Sequence, residues 1–458
     1  MNRIAAIFIA LMFAWPLEAQ GGSESEVPPA SGPNKEQLPE VKPDSGNIVR
    51  NDRVLSRLGF DLRIGGTLEF EFKRTQREED QGVFSAPSRA HYGLDLDKAS
   101  LTLSAMLRSN VHANVEFEFD EDDAQLDEGY VTFINPLTGI ELIPRLSDDV
   151  HDNLLIGLED PFWRNTKRVS ESYSLLQNSL ARDERMQAIY TVTLFDFAYV
   201  IAGISNGASL ALDGSVDETE NYPILQDDRG AHFAGFDDDD QISRRIETVL
   251  GAGVAFDLAS GYSASVFPKN AAFRPMDLQR LHKDFAHFGV WFTSDRLSDN
   301  ERTLLAGLQG ADATSQKWRL GGIAEMVLDL DGAVLGARFE YAHAADGRLK
   351  RNFWSLDTSV TWPIAYFIDS MTPFARYSSL RGNRDGALVT GAAIQAVIDT
   401  ALMTADRAQF TMGMSLELAQ EIKLIFEFTH NDESFHVAAP LSSRVDNDLY
   451  LLALHIGW

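Results

Sequence analysis

Cysteine is absent from this 458-residue chain. That excludes structural disulfides, thiolate metal sites, a cysteine nucleophile and a lipobox cysteine, and it suits a chain that crosses an oxidising periplasm. Basic excess is absent as well: 40 Lys and Arg stand against 68 Asp and Glu, a formal net charge of −28. This argues against nucleic acid as a partner, because a phosphate binder needs a basic face. After the first residues no stretch approaches the roughly 18 uninterrupted apolar residues of a membrane helix. Any place in a membrane must then be taken by strands. Strands in lipid must close on themselves, since an unpaired hydrogen-bonding edge is not tolerated there. The chain also has no G-x-S-x-G elbow, no Gly-rich phosphate loop and no H-E-x-x-H spacing among its histidines. No catalytic set, cofactor or metal is expected.

The amino terminus has the form of a secretory signal over residues 1–19: Arg3, an apolar run from Ile4 to Trp15, Pro16, then Leu17-Glu18-Ala19 as a cleavage site. Cleavage removes one charge of each sign, Arg3 and Glu18, so the mature chain keeps −28. Residues 20–52 shift to Gly, Ser, Pro, Glu and Lys, a composition that cannot bury enough apolar surface to order itself. They read as a flexible periplasmic leader, a spacer ahead of the domain at 53–458.

That domain alternates with period two. Phe60, Leu62, Ile64, Gly66, Leu68, Phe70 and Phe72 share one face, against Asp61, Arg63, Gly65, Thr67, Glu69, Glu71 and Lys73 on the other. The pattern returns at Val111–Phe119, Leu335–Tyr341, Trp354–Trp362, Phe410–Leu418 and Ile422–Phe428. The chain closes on Tyr450, Leu452, Leu454, Ile456 and Trp458. A strand of about 9–11 alternating residues crosses a bilayer in a tilted barrel. A closing strand that ends on an aromatic is also the signal expected by the outer-membrane insertion machinery, here Tyr450 and Trp458. An amphipathic strand ending a soluble sandwich is the competing reading of that stretch alone. Connections alternate between short (Leu194–Asp196, Leu330–Gly332, Leu418–Glu421) and long (Gln76–Ala90, Asn206–Ser243, Asp432–Asp446). At about 25 residues per strand and connection, the roughly 400 residues after the leader suit about 16 strands. The expected fold is all-β: a transmembrane antiparallel barrel with the apolar face toward lipid and the polar face around water. Helical patterns appear only around Val169–Ala181 and Thr390–Thr400.

The order of the segments resembles the phosphate-selective porin O and P family of outer-membrane channels. It is carried by Leu94–Leu107 (LDLDKASLTLSAML), Val115–Phe119, Leu126–Phe133 (LDEGYVTF), Leu155–Trp163 (LIGLEDPFW), Ser174–Leu180, Ile204–Gly207 (ISNG), Arg376–Leu380 (RYSSL), Phe410–Leu418 and the terminal strand. The resemblance implies a trimeric, water-filled pore of 16 strands, an inward-folded loop as constriction, and anion traffic past arginines and lysine. The chain departs from the family pattern at Asp97-Lys98, Glu159-Asp160 and Gln177-Asn178. Those departures favour weak or general selectivity over dedicated phosphate uptake.

Mapped onto this chain, the constriction loop is Pro161–Arg185, with Arg164, Lys167, Arg168, Arg182 and Arg185 as candidate selectivity residues. Rings of fixed charge at a narrow, partly dry point set ion preference. The same arginines would otherwise pin the loop to wall carboxylates. Candidate lumen-wall residues are Arg63, Glu69, Glu71, Lys98, Glu116, Glu118, Arg319 and Arg338, joined by Lys73 and Glu128. Opposed stripes of these would set a transverse field. The acidic run Asp237–Asp240 would face solvent or bridge lipopolysaccharide through divalent cations. Expected, then, is an outer-membrane porin passing small hydrophilic solutes and ions. It would act without covalent chemistry, as a homotrimer among lipid and lipopolysaccharide. The alternatives are a non-conducting structural or adhesive barrel, a barrel hydrolase and a secreted polysaccharide binder.

Overall fold

The computed structural model describes residues 60–77, 91–107, 110–119, 124–138, 150–165, 169–180, 185–195, 197–206, 246–259, 284–297, 315–347, 349–364, 368–382, 406–419, 422–434 and 444–457. The signal, the leader, Asp237–Asp240 and Thr390–Thr400 lie outside them. Sixteen strands follow one another: β1 (Phe60–Arg77), β2 (His91–Leu107), β3 (Val111–Phe119), β4 (Ala124–Ile134), β5 (Val150–Glu159), β6 (Arg185–Leu194), β7 (Ala198–Ser205) and β8 (Glu247–Asp257). The second half comprises β9 (Phe285–Arg296), β10 (Gln316–Asp329), β11 (Val334–Asp346), β12 (Leu349–Pro363), β13 (Ser370–Gly382), β14 (Asp406–Ala419), β15 (Ile422–Ser434) and β16 (Arg444–Gly457). One short helix, α1 (Leu175–Leu180), lies between β5 and β6.

Each strand pairs antiparallel with its neighbours in sequence, and β1 closes on β16 from Thr67 opposite Gly457 to Arg77 opposite Asn447. The sheet is a closed, all-β transmembrane barrel with no free edge, the arrangement lipid requires. Short turns join β2 to β3, β6 to β7, β10 to β11 and β14 to β15 at one end. At the other end β3–β4 and β11–β12 are also short, and β8–β9 is long at the first, so the expected alternation of connection lengths holds only in part. Between β10 and β11 the turn is made with Asp331 at φ 49° and Gly332 at φ 111°, and the Leu330 amide donates to the Ala333 carbonyl at 2.7 Å. Asp and Gly tolerate these angles, and such turns match the twist of the flanking strands.

Alternation sorts the outer face as expected. Ile64, Phe70 and Phe72 point outward, Phe72 with 41% of its surface exposed, while Glu71 between them is buried inside. Phe410, Met412, Phe426 and Tyr450 continue this outer band. The inner face is not uniformly wet. On β6–β13 it carries Ile189, Tyr199, Ile201, Val249, Ala255, Phe285, Trp291, Ile323, Phe353 and Leu380, buried in one apolar cluster within the barrel. The expectation of a water column lined by the whole polar zigzag is corrected on this side. β7 and most of β8 are apolar on both faces, the composition of strands packed on both sides, whereas the inward face of β9 mixes Phe285 and Trp291 with His287, Thr293 and Asp295.

Two bulges reshape the opposite wall. One falls between Glu69 and Phe70, opposite Lys98 and Leu96; the other falls between Glu116 and Phe117, opposite Glu128 and Leu126. Strict alternation would send Asp127 outward to lipid. The second bulge turns it inward, as bulges do when they re-aim a side chain, and its carboxylate reaches the Lys98 ammonium at 2.9 Å.

Candidate pore constriction

The segment between β5 and β6 folds into the barrel, and its sequence explains how. Gly157, two residues before the end of β5, has φ 144°; a Cβ there would stand 2.2 Å from the Gly129 carbonyl oxygen, so only glycine lets the two strands meet this closely. Past the strand, Trp163 stacks on Trp291 of β9, centroids 4.6 Å apart and planes 10° apart. Trp291 in turn covers Gly321 of β10, where a Cβ would meet its ring at 2.3 Å. α1 opens on Ser174-Leu175-Leu176-Gln177, a capping box, with the Gln177 amide donating to Ser174 Oγ at 3.2 Å. The apolar side chains Leu175, Leu176 and Leu180 join the β6–β13 cluster.

Polar clamps fix the rest of the loop. Gln177 Nε2 donates to Glu340 Oε1 on β11 at 2.7 Å. Arg376 of β13 donates to the Ser172 carbonyl at 2.6 Å and to Ser170 Oγ at 3.0 Å. Glu427 of β15 accepts from the Glu171 amide at 2.9 Å and from the Ser172 hydroxyl. Val169 packs on Phe374, Ile425, Leu451 and Ala453. Glu171 reaches the seam itself: its carboxylate lies 2.7 Å from His455 Nε2, and His455 Nδ1 lies 2.9 Å from Glu69 Oε1. The two carboxylates face opposite nitrogens of the ring, which suits an imidazole donating from both. The loop thus crosses from β5 to the β13–β16 wall and back to β6.

On β1–β4 the charged inward side chains stay partly exposed. There Lys98, with 27% of its side chain exposed, lies among Asp127 at 2.9 Å, Glu118 at 3.2 Å and Glu116 at 3.4 Å. Glu116 also accepts from Thr102, and Glu128 accepts from Asn114 Nδ2 at 3.3 Å. Beside this wall, just past the end of β5, Arg164 pairs with Asp160 and donates to the Tyr173 hydroxyl at 2.8 Å, its guanidinium 5.1 Å from that ring. Asp160 feels Glu128 and Asp127. Burial, aided by both carboxylates and opposed by Arg164, raises its carboxyl to about 6.

The expected site residues divide accordingly. Glu69, Lys98, Glu116 and Glu118 meet on the partly exposed wall, with Arg164 beside it just past β5. Glu71 is buried against Lys73 at 2.5 Å. Arg63 lies lower on β1 beside Asp61, both well exposed. Arg185 is only 2% exposed; it pairs with Glu247 at 2.9 Å, donates to the Leu180 carbonyl and lies 5.1 Å from the Trp163 ring. Arg338 pairs with Glu340 at 2.6 Å and Glu325 at 3.5 Å, and Arg319 is buried within electrostatic reach of Glu247 and Asp346. These three arginines belong to the filled side, away from the Lys98 wall. Tyr450 is on the outer face, with Arg74 5.7 Å from its ring centroid. Lys167, Arg168, Arg182 and Trp458 lie outside the described residues. Sequence reasoning did not single out Asp127, Arg376, Glu427 or His455; the bulge, and partners more than 200 residues away, leave no local signal.

No protein-family model matches this chain, and no curated protein matches it. Among solved structures it is similar to the outer membrane channel DcaP of Acinetobacter baumannii: 12% identity, TM-score 0.50, covering 87% of this chain and 98% of that one. It is also similar to OprB of Pseudomonas putida, with 7% identity, TM-score 0.51, and 88% and 95% covered. At these identities the likeness concerns the fold: a barrel with porin architecture.

Proposed function

We propose that this chain is an outer-membrane porin through which small hydrophilic solutes and ions diffuse passively, without covalent chemistry or a cofactor. One observation carries the reading: a loop clamped inside a closed barrel narrows the lumen without covering the partly exposed charged wall of β1–β4. Water and ions follow fixed charge. Among the described residues of the filled side most charged groups are buried, with Asp357 partly exposed beside Arg376. In this reading residues 1–19 direct export, and the outer band of Phe, Met and Tyr contacts outer-membrane lipid and lipopolysaccharide. Homotrimer assembly and delivery by the insertion machinery through the terminal strand belong to the same proposal.

The second reading is a non-conducting envelope anchor, favoured by the apolar cluster that fills β6–β13. Reconstitution into a planar bilayer separates the two. The porin reading expects stepwise conductance from protein that migrates as a heat-modifiable band. Folded protein that never conducts supports the anchor.

A further inference from the structure

The geometry points to a docking site for the phosphorylated headgroup of an outer-leaflet glycolipid, lipopolysaccharide, on the outer face of β11–β13, where Lys350 and Arg381 stand exposed beside Asn352. The inference rests on the outer-membrane placement in the reading above and not on conduction. It names the place on the barrel where that lipid is held.

Alternation fixes the facing of each residue involved. On β12 Arg351, Phe353 and Ser355 are buried, so Lys350, Asn352 and Trp354 face outward. On β11 Ala342 and Ala344 are buried, so Tyr341 and His343 face outward. On β13 Ser378 and Leu380 are buried, so Tyr377 and Arg381 face outward. Lys350 and Arg381 lie at the end of the barrel away from the β10–β11 turn. The long connections β5–β6, β7–β8, β9–β10 and β13–β14 leave from that end, which in outer-membrane barrels is the external one. Rings mark the depth. Trp354 and Tyr377 pack with centroids 5.1 Å apart, and Trp318 packs on His343 at 5.0 Å, as in the aromatic girdles that sit at headgroup level. Lys350 and Arg381 each stand four residues further out than Trp354 and Tyr377, at the level of lipid phosphates. Arg381 is opposite Asn352, and Lys350 is two residues along β12, a diagonal of about 7–8 Å. That spacing lets an ammonium and a guanidinium share one phosphate, with the guanidinium fork on two of its oxygens. Asn352 completes the set. Its Oδ1 accepts from His343 Nδ1 at 2.7 Å and from the Tyr341 hydroxyl at 3.3 Å, so its amide NH2 is the end that donates to a phosphate or sugar oxygen. Charge agrees. At this end the described charged residues facing outward on β9–β13 are Arg296, Lys350 and Arg381, all basic in a chain of net charge −28. Asp406, on the neighbouring β14, accepts from the Gly382 amide at 3.1 Å. Basic clusters at a membrane surface attract anionic headgroups in this way.

The test is binding of lipid A to the folded protein in detergent, read by native mass spectrometry, with the bisphosphorylated lipid compared with its dephosphorylated form. The wild type is expected to bind the phosphorylated form several-fold more tightly. Lys350→Gln with Arg381→Gln should weaken that binding roughly tenfold, with each single substitution losing part of it. Arg63→Gln, near the opposite end, should bind as the wild type does. All four variants should keep the heat-modifiable band and the wild-type conductance. Equal binding of the two lipids, or equal binding by the wild type and the double variant, overturns the inference. Inorganic phosphate that displaces lipid A at comparable concentration also overturns it, and makes this a site for the free anion. So does a double variant that changes oligomeric state and not lipid binding, which makes this face an interface between copies. Protein that binds lipid A through Lys350 and Arg381 yet never conducts sinks the channel reading and keeps the inference. Conducting protein that is indifferent to the phosphates of lipid A does the reverse.

Discussion

The two sides of the lumen are built from the same alternating strands and end up with opposite characters. On β6–β13 buried aromatic and aliphatic residues receive Phe162, Trp163 and the leucines of α1 as a second layer, alongside buried ion pairs such as Arg185 with Glu247. On β1–β4 the inward positions are charged, and they stay partly exposed around Lys98. Alternation decides only which residues point inward; their chemistry decides whether the space they face fills with protein or with water. Buried ion pairs on the filled side, such as Arg338 with Glu340, hold position and register rather than present charge to solutes.

The largest test of this contrast removes the anchor of the filled side. Trp163→Ala should cost about 3–5 kcal/mol and free the loop from Trp291, lowering the temperature of the heat-modifiable transition and enlarging the unit conductance. An unchanged conductance would mean that the apolar layer does not set the aperture. Next comes the polar clamp. Arg376→Met removes the guanidinium that donates to the Ser172 carbonyl and the Ser170 hydroxyl, leaving that carbonyl only the Ser170 hydroxyl as donor, at a cost of about 1–3 kcal/mol. Noisier, interrupted single-channel currents are expected, with ion preference retained.

A smaller effect should follow pH. The Asp160 carboxyl is raised to about 6, so it is charged above that pH and neutral below it. The potassium-to-chloride permeability ratio should therefore fall as pH drops from about 7 to about 5, and Asp160→Asn should abolish that pH dependence. Arg63→Gln should do least. Its pair with Asp61 is exposed, so stability should stay within about 0.5 kcal/mol and the potassium-to-chloride ratio should barely change. A large change there would mean that the selective point lies nearer the short-turn end than the Lys98 wall.

Much of this was legible beforehand, and particular residues show why. Phe60–Phe72 and Tyr450–Ile456 carry a strict two-residue period, so strand type, facing and a closed barrel of about 16 strands could all be read from order along the chain. Ser174–Gln177 carries a capping box, so the loop helix could be read as well, although α1 is shorter than the Val169–Ala181 pattern. Between Gly207 and Gln316 the strands were obscured because β8 is largely apolar on both faces and β9 mixes apolar and polar residues on its inward face, so alternation is weak there. The site was less legible. Arg164 and Arg185 look alike along the chain, yet one faces Tyr173 at the gap and the other is sealed beneath Trp163.

Order along the chain, by itself, determined the period, the turns and the outer band, since each depends on neighbours within a few residues. Only the closed tertiary structure decided which inward side fills and which stays wet. That outcome depends on contacts between segments as distant as Glu171 and Glu427, or Glu69 and His455, and on a bulge that turns Asp127 away from lipid. A charge's meaning here is set by what stands across the lumen from it, and no local pattern encodes that.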